Sequence, residues 1–262
     1  MDRETTDTER DGDLLQTLIQ GLSVVACFDR HSRRMTPTEV ARKTNLTRAA
    51  ARRILLTLVH TGYATTDGKT FELTARVLEL GYAYLSSFGL PEIARPNMER
   101  IAQEIGESCS LGVLSQADVV YVARTEPPRI MERTSAGVGL RLPAHATAMG
   151  QVLLAALPDD EFDLLLRTWP PAQFTEKTLV EHDALFERIE QVRKQGYALQ
   201  DEEIERGSRS IAVPVRDRKN RVIAALAIGT QVGRHSIESL TGPMLAALRR
   251  TAHEIERPAG LL

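Results

Sequence analysis

Apolar positions in the first quarter of the chain recur with the period of helices that bury one face. Residues 14–29 place apolar side chains three and four positions apart, which predicts a helix. Further on, Thr36 precedes Pro37 and Glu39, an order that is typical of a helix start. The threonine can cap the helix, the proline suits the first helical position, and the glutamate completes a capping box. The pattern therefore predicts a second helix that begins at Pro37.

The residues after Pro37 follow the spacing of a helix-turn-helix. Asn45 lies where the turn needs a left-handed backbone, which asparagine tolerates. Thr47 can cap a further helix that runs to about residue 61. Small or apolar residues occupy the positions that pack the two helices together, namely Val40, Ala41, Leu46, Ala51 and Ile54. An αα-hairpin used only for packing is the alternative interpretation of this spacing.

The segment after these helices favours DNA binding over simple packing. Residues 63–73 have the pattern of a β-hairpin, with Asp67-Gly68 as a type I′ turn signal. Residues 74–87 return to helical spacing, and Phe88-Gly-Leu-Pro91 marks a boundary. We therefore predict a winged helix-turn-helix over residues 14–73 and a linker helix over residues 74–90.

The rest of the chain, residues 91–262, alternates apolar β-branched runs with helical patterns. The predicted strands cover residues 108–114, 119–123, 130–135, 197–199, 210–215 and 222–228. The predicted helices cover residues 91–106, 145–157, 159–168, 182–195 and 236–257. The connections favour hairpins and hence mostly antiparallel strands. This second domain is predicted to have an α+β fold, with helices on the faces of the sheet.

Composition excludes several classes of protein. The chain is 42% hydrophobic and 26% charged, which excludes collagen and low-complexity scaffolds. It has no apolar run long enough for a transmembrane helix. Residues 1–13 contain six acidic side chains and no apolar segment, so we expect a disordered acidic tail rather than a secretory signal. Cys27 and Cys109 lie far apart and do not suggest a disulfide framework. We expect a cytoplasmic protein that does not bind membranes.

The net charge of −2 conceals a basic segment. Residues 14–86 have ten basic and five acidic side chains, a balance typical of a DNA-binding module in a nearly neutral chain. Arg48 is the best candidate for a base contact, because arginine binds guanine through two hydrogen bonds. Arg52 and Arg53 are candidates for contact with phosphate. The other candidate DNA contacts are Thr36, Thr38, Thr47, Ala50 and Lys69.

The second domain lacks the short motifs of several large enzyme classes. It contains no GxGxxG after a strand, no P-loop, no HExxH and no GxSxG. Cys109 with His145 as nucleophile and base, or His145 with the acidic residues 201–203 as metal ligands, are possible from residue type alone. A small buried cysteine is the commoner case, and dense His/Cys spacing is missing. We predict no catalytic residue, no metal and no cofactor.

Three segments resemble the IclR family of bacterial transcription regulators. They are the N-terminal helix-turn-helix, residues 142–155 (LPAHATAMGQVLLA) and residues 196–214 (GYALQDEEIERGSRSIAVP). The resemblance implies a linker helix used in dimerisation, a GAF-like effector domain, and dimers or tetramers on palindromic double-stranded DNA operators. The segments Tyr121-Val-Ala-Arg124 and Arg129-Ile-Met131, with parts of the other two, resemble the branch that regulates protocatechuate, 4-hydroxybenzoate and β-ketoadipate catabolism.

The same resemblance implies a pocket for a small carboxylic acid as effector. Ala148, Ala227 and Gly229 would leave room for it, and Ser208 and Ser210 would offer hydroxyl groups. The acid could pair with an arginine, or with backbone N–H groups at the start of the predicted helix 145–157. The candidate arginines are Arg133, Arg141 and Arg209, the candidate apolar walls are Leu111, Leu142 and Met149, and His145 completes the set.

These observations predict a ligand-responsive regulator of an operon for aromatic acid degradation. A regulator of the same family that senses a short keto acid is one alternative. An enzyme with an appended DNA-binding module is a second alternative, which the missing catalytic motifs disfavour.

Overall fold

The computed structural model describes residues 14–29, 31–127 and 137–259. The chain divides into two compact units between Tyr84 and Leu85, inside the predicted linker helix. The acidic tail expected over residues 1–13, the strand expected over residues 130–135 and the candidate Arg133 lie outside the described residues.

The first unit consists of three helices, a short hairpin and the first part of a further helix that continues past the boundary. Its elements are α1 (Gln16–Ala26), α2 (Pro37–Thr44), α3 (Arg48–His60), β1 (Ala64–Thr66), β2 (Phe71–Leu73), a 3₁₀ turn (Ala75–Val77) and α4 (Leu78–Phe88). Val40 of α2, Leu55 of α3 and Phe71 of β2 lie in one buried cluster. The hairpin therefore packs on the helices through Phe71, as the wing of a winged helix does.

Local hydrogen bonds explain where α2 and α3 begin. Thr36 Oγ1 accepts a bond from the Glu39 backbone N–H (3.3 Å), and the Thr36 backbone N–H donates to Glu39 Oε2 (2.7 Å). α2 ends at Asn45, whose φ of 55° is left-handed. Thr47 Oγ1 accepts a bond from the Ala50 N–H (3.2 Å) at the start of α3. The predicted capping box, turn and second cap are confirmed.

The wing differs from the prediction at its turn. Thr66 pairs with Phe71, so four residues connect the strands instead of the two of a type I′ turn. Asp67 Oδ1 accepts bonds from the backbone N–H groups of Thr70 (2.7 Å) and Lys69 (2.9 Å). The predicted turn type was wrong because an aspartate side chain can bond the backbone that follows it and so stabilise a different loop.

The second unit is a six-stranded antiparallel sheet with helices on both faces. Its elements are α5 (Leu90–Ile105), β3 (Ser108–Ser115), β4 (Asp118–Thr125), β5 (Arg141–Pro143), α6 (Ala148–Leu154), α7 (Asp159–Thr168), α8 (His182–Gln195), β6 (Ala198–Asp201), β7 (Ser208–Arg216), β8 (Val222–Gln231) and α9 (Leu245–Ala259). The strand order is β5-β4-β3-β8-β7-β6. The predicted α+β class and the antiparallel pairing are confirmed.

The two faces of the sheet differ in the size of their side chains. Large side chains such as Leu111, Ile211 and Leu226 pack against α5 and α9. On the other face, Ala212 and Ala225 belong to the core that includes α6, α7 and α8. Because side chains alternate along a strand, β3, β7 and β8 contribute large residues to one face and small residues to the other.

Three predicted boundaries in the second unit were wrong. Arg141–Pro143, expected in a loop, pairs with β4 as an edge strand. The helix expected from residue 145 begins at Ala148, because Thr147 caps it by accepting the Gly150 N–H (3.2 Å). The expected C-terminal helix begins with a single turn, Ile237–Ser239, and widens over Leu240–Met244, where Pro243 cannot donate a backbone hydrogen bond. Among the helices of the described residues, none is both long and apolar enough to cross a bilayer.

Candidate DNA-binding surface and effector site

The exposed side of α3 is basic. Ala51, Ile54 and Leu55 are buried, whereas Arg48, Arg52 and Arg53 are exposed. Within the described parts of the chain, no carboxylate forms an ion pair with any of these three arginines. α3 therefore presents three guanidinium groups that an anionic partner can reach.

The remaining predicted DNA contacts differ in how exposed they are and in whether their polar groups already have partners. Thr38 and Thr47 are exposed near the starts of α2 and α3. The Thr36 hydroxyl is engaged with Glu39 Oε2 (2.8 Å) in the capping box. Ala50 is half-buried, whereas its neighbour Ala49 is exposed. The outer surface of α3 therefore includes Ala49 in the place predicted for Ala50. Sequence reasoning missed Ala49 because the buried face of α3 is defined only by its packing partners.

The wing is held in place by ionic contacts. Glu72 of β2 accepts bonds from Arg34 Nε (2.8 Å) and Arg33 Nε (2.5 Å), and these contacts lower the pKa of Glu72. At the tip, hydrogen bonds from the Thr70 and Lys69 backbone lower the pKa of Asp67 to about 2, because they stabilise its ionised form. The Lys69 side chain is exposed beside this loop and stays a candidate contact.

A surface of small side chains lies on the α6 side of the sheet. We call it the small-residue face, and its members are Ser108, Ser110 and Gly112 of β3, Ser208, Ser210 and Ala212 of β7, and Ala225, Ala227 and Gly229 of β8. The register places Ser108, Gly229 and Ser210 in one row across the sheet. Ala212, Ala225 and Ala227 are buried, whereas Ser208, Ser210 and Gly229 are half-buried, so the face opens towards that row.

α6 covers part of the small-residue face at close range. A Cβ on Gly112 would lie 3.1 Å from Met149 Sδ, so the Met149 side chain lies over Gly112. A Cβ on Gly150 would lie 2.1 Å from Ala144 O, a distance that the backbone does not permit. Glycine at position 150 therefore lets α6 pack against the preceding turn and places Ala148 and Met149 beside the sheet.

The start of α6 is partly capped by its own threonine. Thr147 Oγ1 accepts the Gly150 N–H (3.2 Å), and Thr147 O accepts the Gln151 N–H (2.9 Å) as the first bond within the helix. The N–H groups of Ala148 and Met149 in the first turn stay candidates for binding a carboxylate.

His145 holds a neighbouring loop. Its Nε2 lies 2.9 Å from Ala172 O, and its ring centroid lies 5.9 Å from that of Phe174. Burial lowers the pKa of His145, which favours the neutral ring with Nε2 as donor. The structure thus gives His145 a role in anchoring residues 172–174.

A buried polar network lies behind α6. Gln151 Nε2 donates to Glu203 Oε2 (2.8 Å) and to His145 O (3.0 Å), and Arg188 Nη1 donates to Glu203 Oε1 (2.8 Å). Gln151 is fully buried, so each of these polar groups needs its partner. Sequence reasoning missed Gln151 and Arg188, since Gln151 lies 52 residues from Glu203 and 37 residues from Arg188 along the chain.

Several predicted effector contacts lie apart from the small-residue face. Leu111 belongs to the core under α5 and α9. Arg209 alternates with Ser208 and Ser210 along β7, and its Nε bonds to Asp201 Oδ1 (2.6 Å). Arg141 lies on the edge strand β5, where its Nε bonds to Asp118 Oδ2 (3.1 Å). The period of two along a strand explains why Leu111 and Arg209 face away from the serines beside them.

The other predicted effector contacts lie on the α6 side of the sheet. Ala148, Met149, Ala227, Gly229, Ser208 and Ser210 are on or beside the small-residue face. Leu142 of β5 pairs with Val119, which belongs to the core under α6. Ser208 Oγ donates to Glu205 O (2.7 Å), and Ser210 Oγ lies 3.2 Å from the Gln200 side-chain amide.

Arg124 is on the small-residue face and was not among the predicted contacts. β3 and β4 pair with a bulge at Leu111/Gly112, so Arg124 pairs with Ser110 and Tyr121 pairs with Gly112. Tyr121 and Arg124 are three positions apart, and regular alternation would put them on opposite faces. The bulge is what brings both to one face, and the sequence has no clear signal for it.

The enzyme-like and metal-site interpretations have no geometric support in this unit. Cys109 is buried under α5 and α9, whereas His145 lies beside α6 on the other side of the sheet, and burial raises the pKa of the Cys109 thiol to about 12. The part of the chain that the structure describes contains no cluster of three His, Cys, Asp or Glu side chains placed to hold a metal ion.

Comparison with known proteins matches both units. Residues 14–68 match the family model of the IclR helix-turn-helix domain, and residues 82–257 match that of the bacterial transcriptional regulator IclR C-terminal domain. The Pca regulon regulatory protein of Pseudomonas putida is 39% identical over 249 residues, which cover 94% of this chain and 86% of that protein.

Two further proteins match nearly the whole chain. The p-hydroxybenzoate hydroxylase transcriptional activator of Acinetobacter baylyi is 35% identical over 250 residues, which cover 94% of this chain and 92% of that protein. The crystal structure of an IclR homologue from Microbacterium hydrocarbonoxydans, complexed with 4-hydroxybenzoate, superposes with a TM-score of 0.79 at 26% identity over 94% of this chain and 100% of that chain. With both units matched in one order and over nearly their full length, the chain belongs to the IclR family of bacterial transcriptional regulators.

Proposed function

We propose that this regulator controls an operon for aromatic acid degradation in the protocatechuate and β-ketoadipate route. The observation that supports this best is the small-residue face, where half-buried Ser208, Ser210 and Gly229 border an alanine and glycine surface under Met149. A flat ring can lie against alanine and glycine, and serine hydroxyl groups can bond polar substituents. The relatives named for the Pca regulon and for p-hydroxybenzoate hydroxylase support the proposed operon, and the IclR homologue complexed with 4-hydroxybenzoate supports an aromatic acid as effector.

DNA binding is proposed to use α3 in the major groove of a double-stranded operator. The N-terminal residues of a recognition helix reach base edges, so Arg48 is the candidate for base contact. Arg52 and Arg53, further along the exposed side, are candidates for phosphate contact, and Lys69 is the candidate on the wing. A regulator of bacterial operons acts in the cytoplasm, which is the location we propose.

Self-association is proposed to involve the exposed apolar residues of the first unit. Leu15 at the N-cap of α1, and Leu18 and Leu22 within it, are spaced three and four residues apart and are 74%, 59% and 55% exposed. Leu78 and Tyr82 on α4 are 74% and 65% exposed. Monomers rarely expose so many large apolar side chains together, and a second copy of the chain would cover them. A symmetric homodimer, or a tetramer built from two, would present α3 twice to a palindromic operator.

Regulation requires that the effector bind two arrangements of the protein with different affinity. Binding to the small-residue face would then shift the population of the arrangement that fits the operator half-sites.

A thermal-shift panel tests the proposed effector class. Purified full-length protein would be heated with protocatechuate, 4-hydroxybenzoate, β-ketoadipate, pyruvate or glyoxylate. A ligand at 100 times its Kd should add about 2.7 kcal/mol to stability, which gives a clear rise in Tm. A selective rise with an aromatic acid or β-ketoadipate supports the proposal. A rise in Tm only with the short keto acids, or no rise with any compound, rejects the proposed role in aromatic catabolism. Either result leaves the proposal of DNA binding unchanged.

A further inference from the structure

Arg33 and Arg34 lie in the loop before α2 and attach this loop to the wing. We call them the arginine pair. Their Nε atoms donate to the two oxygens of Glu72 on β2, at 2.5 Å to Oε1 and at 2.8 Å to Oε2. The next residue, Met35, exchanges two backbone hydrogen bonds with Phe71 (3.0 and 2.8 Å). The arginine pair is therefore held against the wing by a shared carboxylate and by the backbone pairing beside it.

The arginine pair has more positive charge than its partner balances. Glu72 offers one carboxylate to two guanidinium groups, so the three side chains together have a net charge of +1. Asp67 at the wing tip also acts on Arg34, and Lys69, two residues further on, has the opposite charge. The side chains of Arg33 and Arg34 are 83% and 67% exposed, whereas that of Glu72 is 16% exposed. The excess positive charge therefore faces solvent.

Both guanidinium groups have donors for a further acceptor. Among the residues that the structure describes, the hydrogen bonds of the arginine pair go to Glu72 and use Nε, which is one of the five N–H donors of a guanidinium. Two neighbouring guanidinium groups can form charge-assisted bonds with the oxygens of one phosphate. Glu72 restrains both side chains beforehand, so less conformational entropy is lost when an anion binds.

The place of the arginine pair in the fold favours DNA phosphate as this anion. α2 begins at Pro37, three residues after Arg34. In helix-turn-helix proteins the helix before the recognition helix crosses the DNA backbone, and the recognition helix lies in the major groove. A positive group just before α2 and against the wing is therefore expected close to the backbone that borders the groove occupied by α3.

We propose that Arg33 and Arg34 together bind one backbone phosphate of the operator, as a contact separate from those of α3. This inference rests on the proposed function, since it adds a contact to the same DNA-binding surface. Phosphates are the same in every sequence, so the arginine pair contributes to affinity and to the position of the protein on the duplex, and not to base preference.

A salt series tests the phosphate contact. Fluorescence anisotropy would measure binding of the full-length protein to a duplex that it selects from a random pool and to an unrelated duplex. Arg33→Gln combined with Arg34→Gln should weaken binding to both duplexes by a similar factor and reduce the salt slope by about one. Arg221→Gln in the second unit is the matched control and should leave the slope unchanged. Arg221 is 70% exposed and is paired with Asp217, whose side chain is 17% exposed.

Glu72→Gln distinguishes a phosphate contact from a purely structural role. Glutamine keeps the shape of the side chain and an acceptor oxygen but removes the negative charge beside the arginine pair. A phosphate at this place should then be bound about two- to fivefold more tightly at low salt, and the gain should shrink as salt is added. If the arginine pair serves only to hold the wing, loss of the ion pairs should weaken DNA binding or leave it unchanged. Glu79→Gln on α4, where Glu79 is 63% exposed and paired with Arg76, is the control for the same change of charge elsewhere in the first unit.

The outcomes separate this inference from the proposed function. If the unsubstituted protein binds neither duplex, the proposed DNA binding fails and the arginine pair has no partner. If the protein binds DNA and Arg52→Ala reduces the salt slope, but the double glutamine variant does not, the arginine pair is rejected while α3 stands. If the double variant has a lower Tm, Glu72→Gln decides. Tighter binding than with Glu79→Gln supports the phosphate contact, and weaker or unchanged binding overturns it.

Discussion

The arginines of this chain differ in their partners, and the partners determine what each can bind. Arg209 is buried and bonded to Asp201, and Arg33 and Arg34 hold Glu72 of the wing. Asp201 balances the charge of Arg209, whereas Arg33 and Arg34 share the one carboxylate of Glu72. Arg48 and Arg52 on α3 are exposed, where a phosphate or a base edge can reach them. The α3 arginines are exposed and form no ion pair with a carboxylate of the described residues, so replacing them should affect DNA binding rather than folding.

The α3 arginines should separate into base and phosphate contacts. Against DNA selected by the protein from a random pool, Arg52→Ala and Arg53→Ala should weaken binding to all sequences and reduce the salt slope by about one per lost phosphate contact. Arg48→Ala should instead reduce the penalty for a mismatched base, which is about 1–3 kcal/mol per position in specific complexes. Fluorescence anisotropy over a series of salt concentrations measures both quantities.

Arg167→Ala, on α7 in the second unit, is the control for a general loss of positive charge. A salt slope that stays the same in all three α3 variants would reject α3 as the recognition helix.

His145 should make stability depend on pH. Burial lowers its folded-state pKa below the ordinary value of 6.5, so the unfolded chain binds the proton more readily. The contribution of neutral His145 is fully present above about pH 6.5 and is lost as the pH falls through the interval down to the folded-state pKa. His145→Gln keeps a side-chain donor for Ala172 O but does not titrate. Urea unfolding at several pH values measures the free energy of unfolding of both proteins. As the pH decreases, the unsubstituted protein should lose more of this free energy than His145→Gln does. A difference that stays constant with pH would contradict this.

At the scale of elements, the short helix α6 depends on the close approach of Gly150 to the backbone of Ala144. It is only Ala148–Leu154 long, and all seven residues are buried. Thr147 caps it, Gly150 lets it pack on Ala144, and Gln151 bonds to His145 O and Glu203. Tertiary contacts rather than helix length therefore stabilise it, since isolated helices this short are marginal in water.

Gly150→Ala should destabilise the second unit. The new Cβ would lie 2.1 Å from Ala144 O, so α6 must move, and overpacking of this kind costs about 1–3 kcal/mol or more. The displacement should also weaken effector binding, because Ala148 and Met149 move with the helix. Gly242→Ala is the matched control, since its Cβ would meet nothing within 4 Å. Chemical denaturation of both variants measures the difference, and equal stabilities would show that the turn before α6 can adapt.

At the scale of the whole molecule, function requires that ligand occupancy in the second unit change how the first unit binds DNA. The two units have separate cores, and α4 contains the boundary between them. A homodimer would have two helices α3, one from each copy, to place on one operator. The exposed apolar residues of α1 and α4 are the candidates for the dimer contact that would fix the spacing between the two helices α3.

Leu18→Asp should weaken self-association without unfolding the chain. The Leu18 side chain is 59% exposed, so the first unit keeps its core, whereas burying a leucine at an interface contributes about 1.5–3 kcal/mol. Sedimentation analysis should show a dimer dissociation constant at least about tenfold higher. Leu164→Asp on α7, where the leucine is 64% exposed, is the control for an exposed leucine of the second unit. Unchanged self-association in Leu18→Asp would exclude α1 from the interface.

The sequence alone determined the features that depend on neighbours along the chain. The capping box of Thr36 and Glu39, the left-handed Asn45 and the Thr47 cap were readable because each involves residues within a few positions. The helices Asp159–Thr168 and His182–Gln195 were predicted to the residue, because their ends have strong local signals. The branch of the family was also visible from short segments of residues.

The tertiary structure alone decided which side chains meet. The sequence placed Ser210 and Arg209 in one predicted site, whereas the pairing of β7 puts them on opposite faces of the sheet and the packing shows which face α6 covers. The bulge between β3 and β4 brought Tyr121 and Arg124 to one face, against simple alternation. The register of the strands, the position of the bulge and the helix that covers each face depend on contacts between residues far apart in the chain. The free energies of those contacts cannot be read from a local sequence pattern.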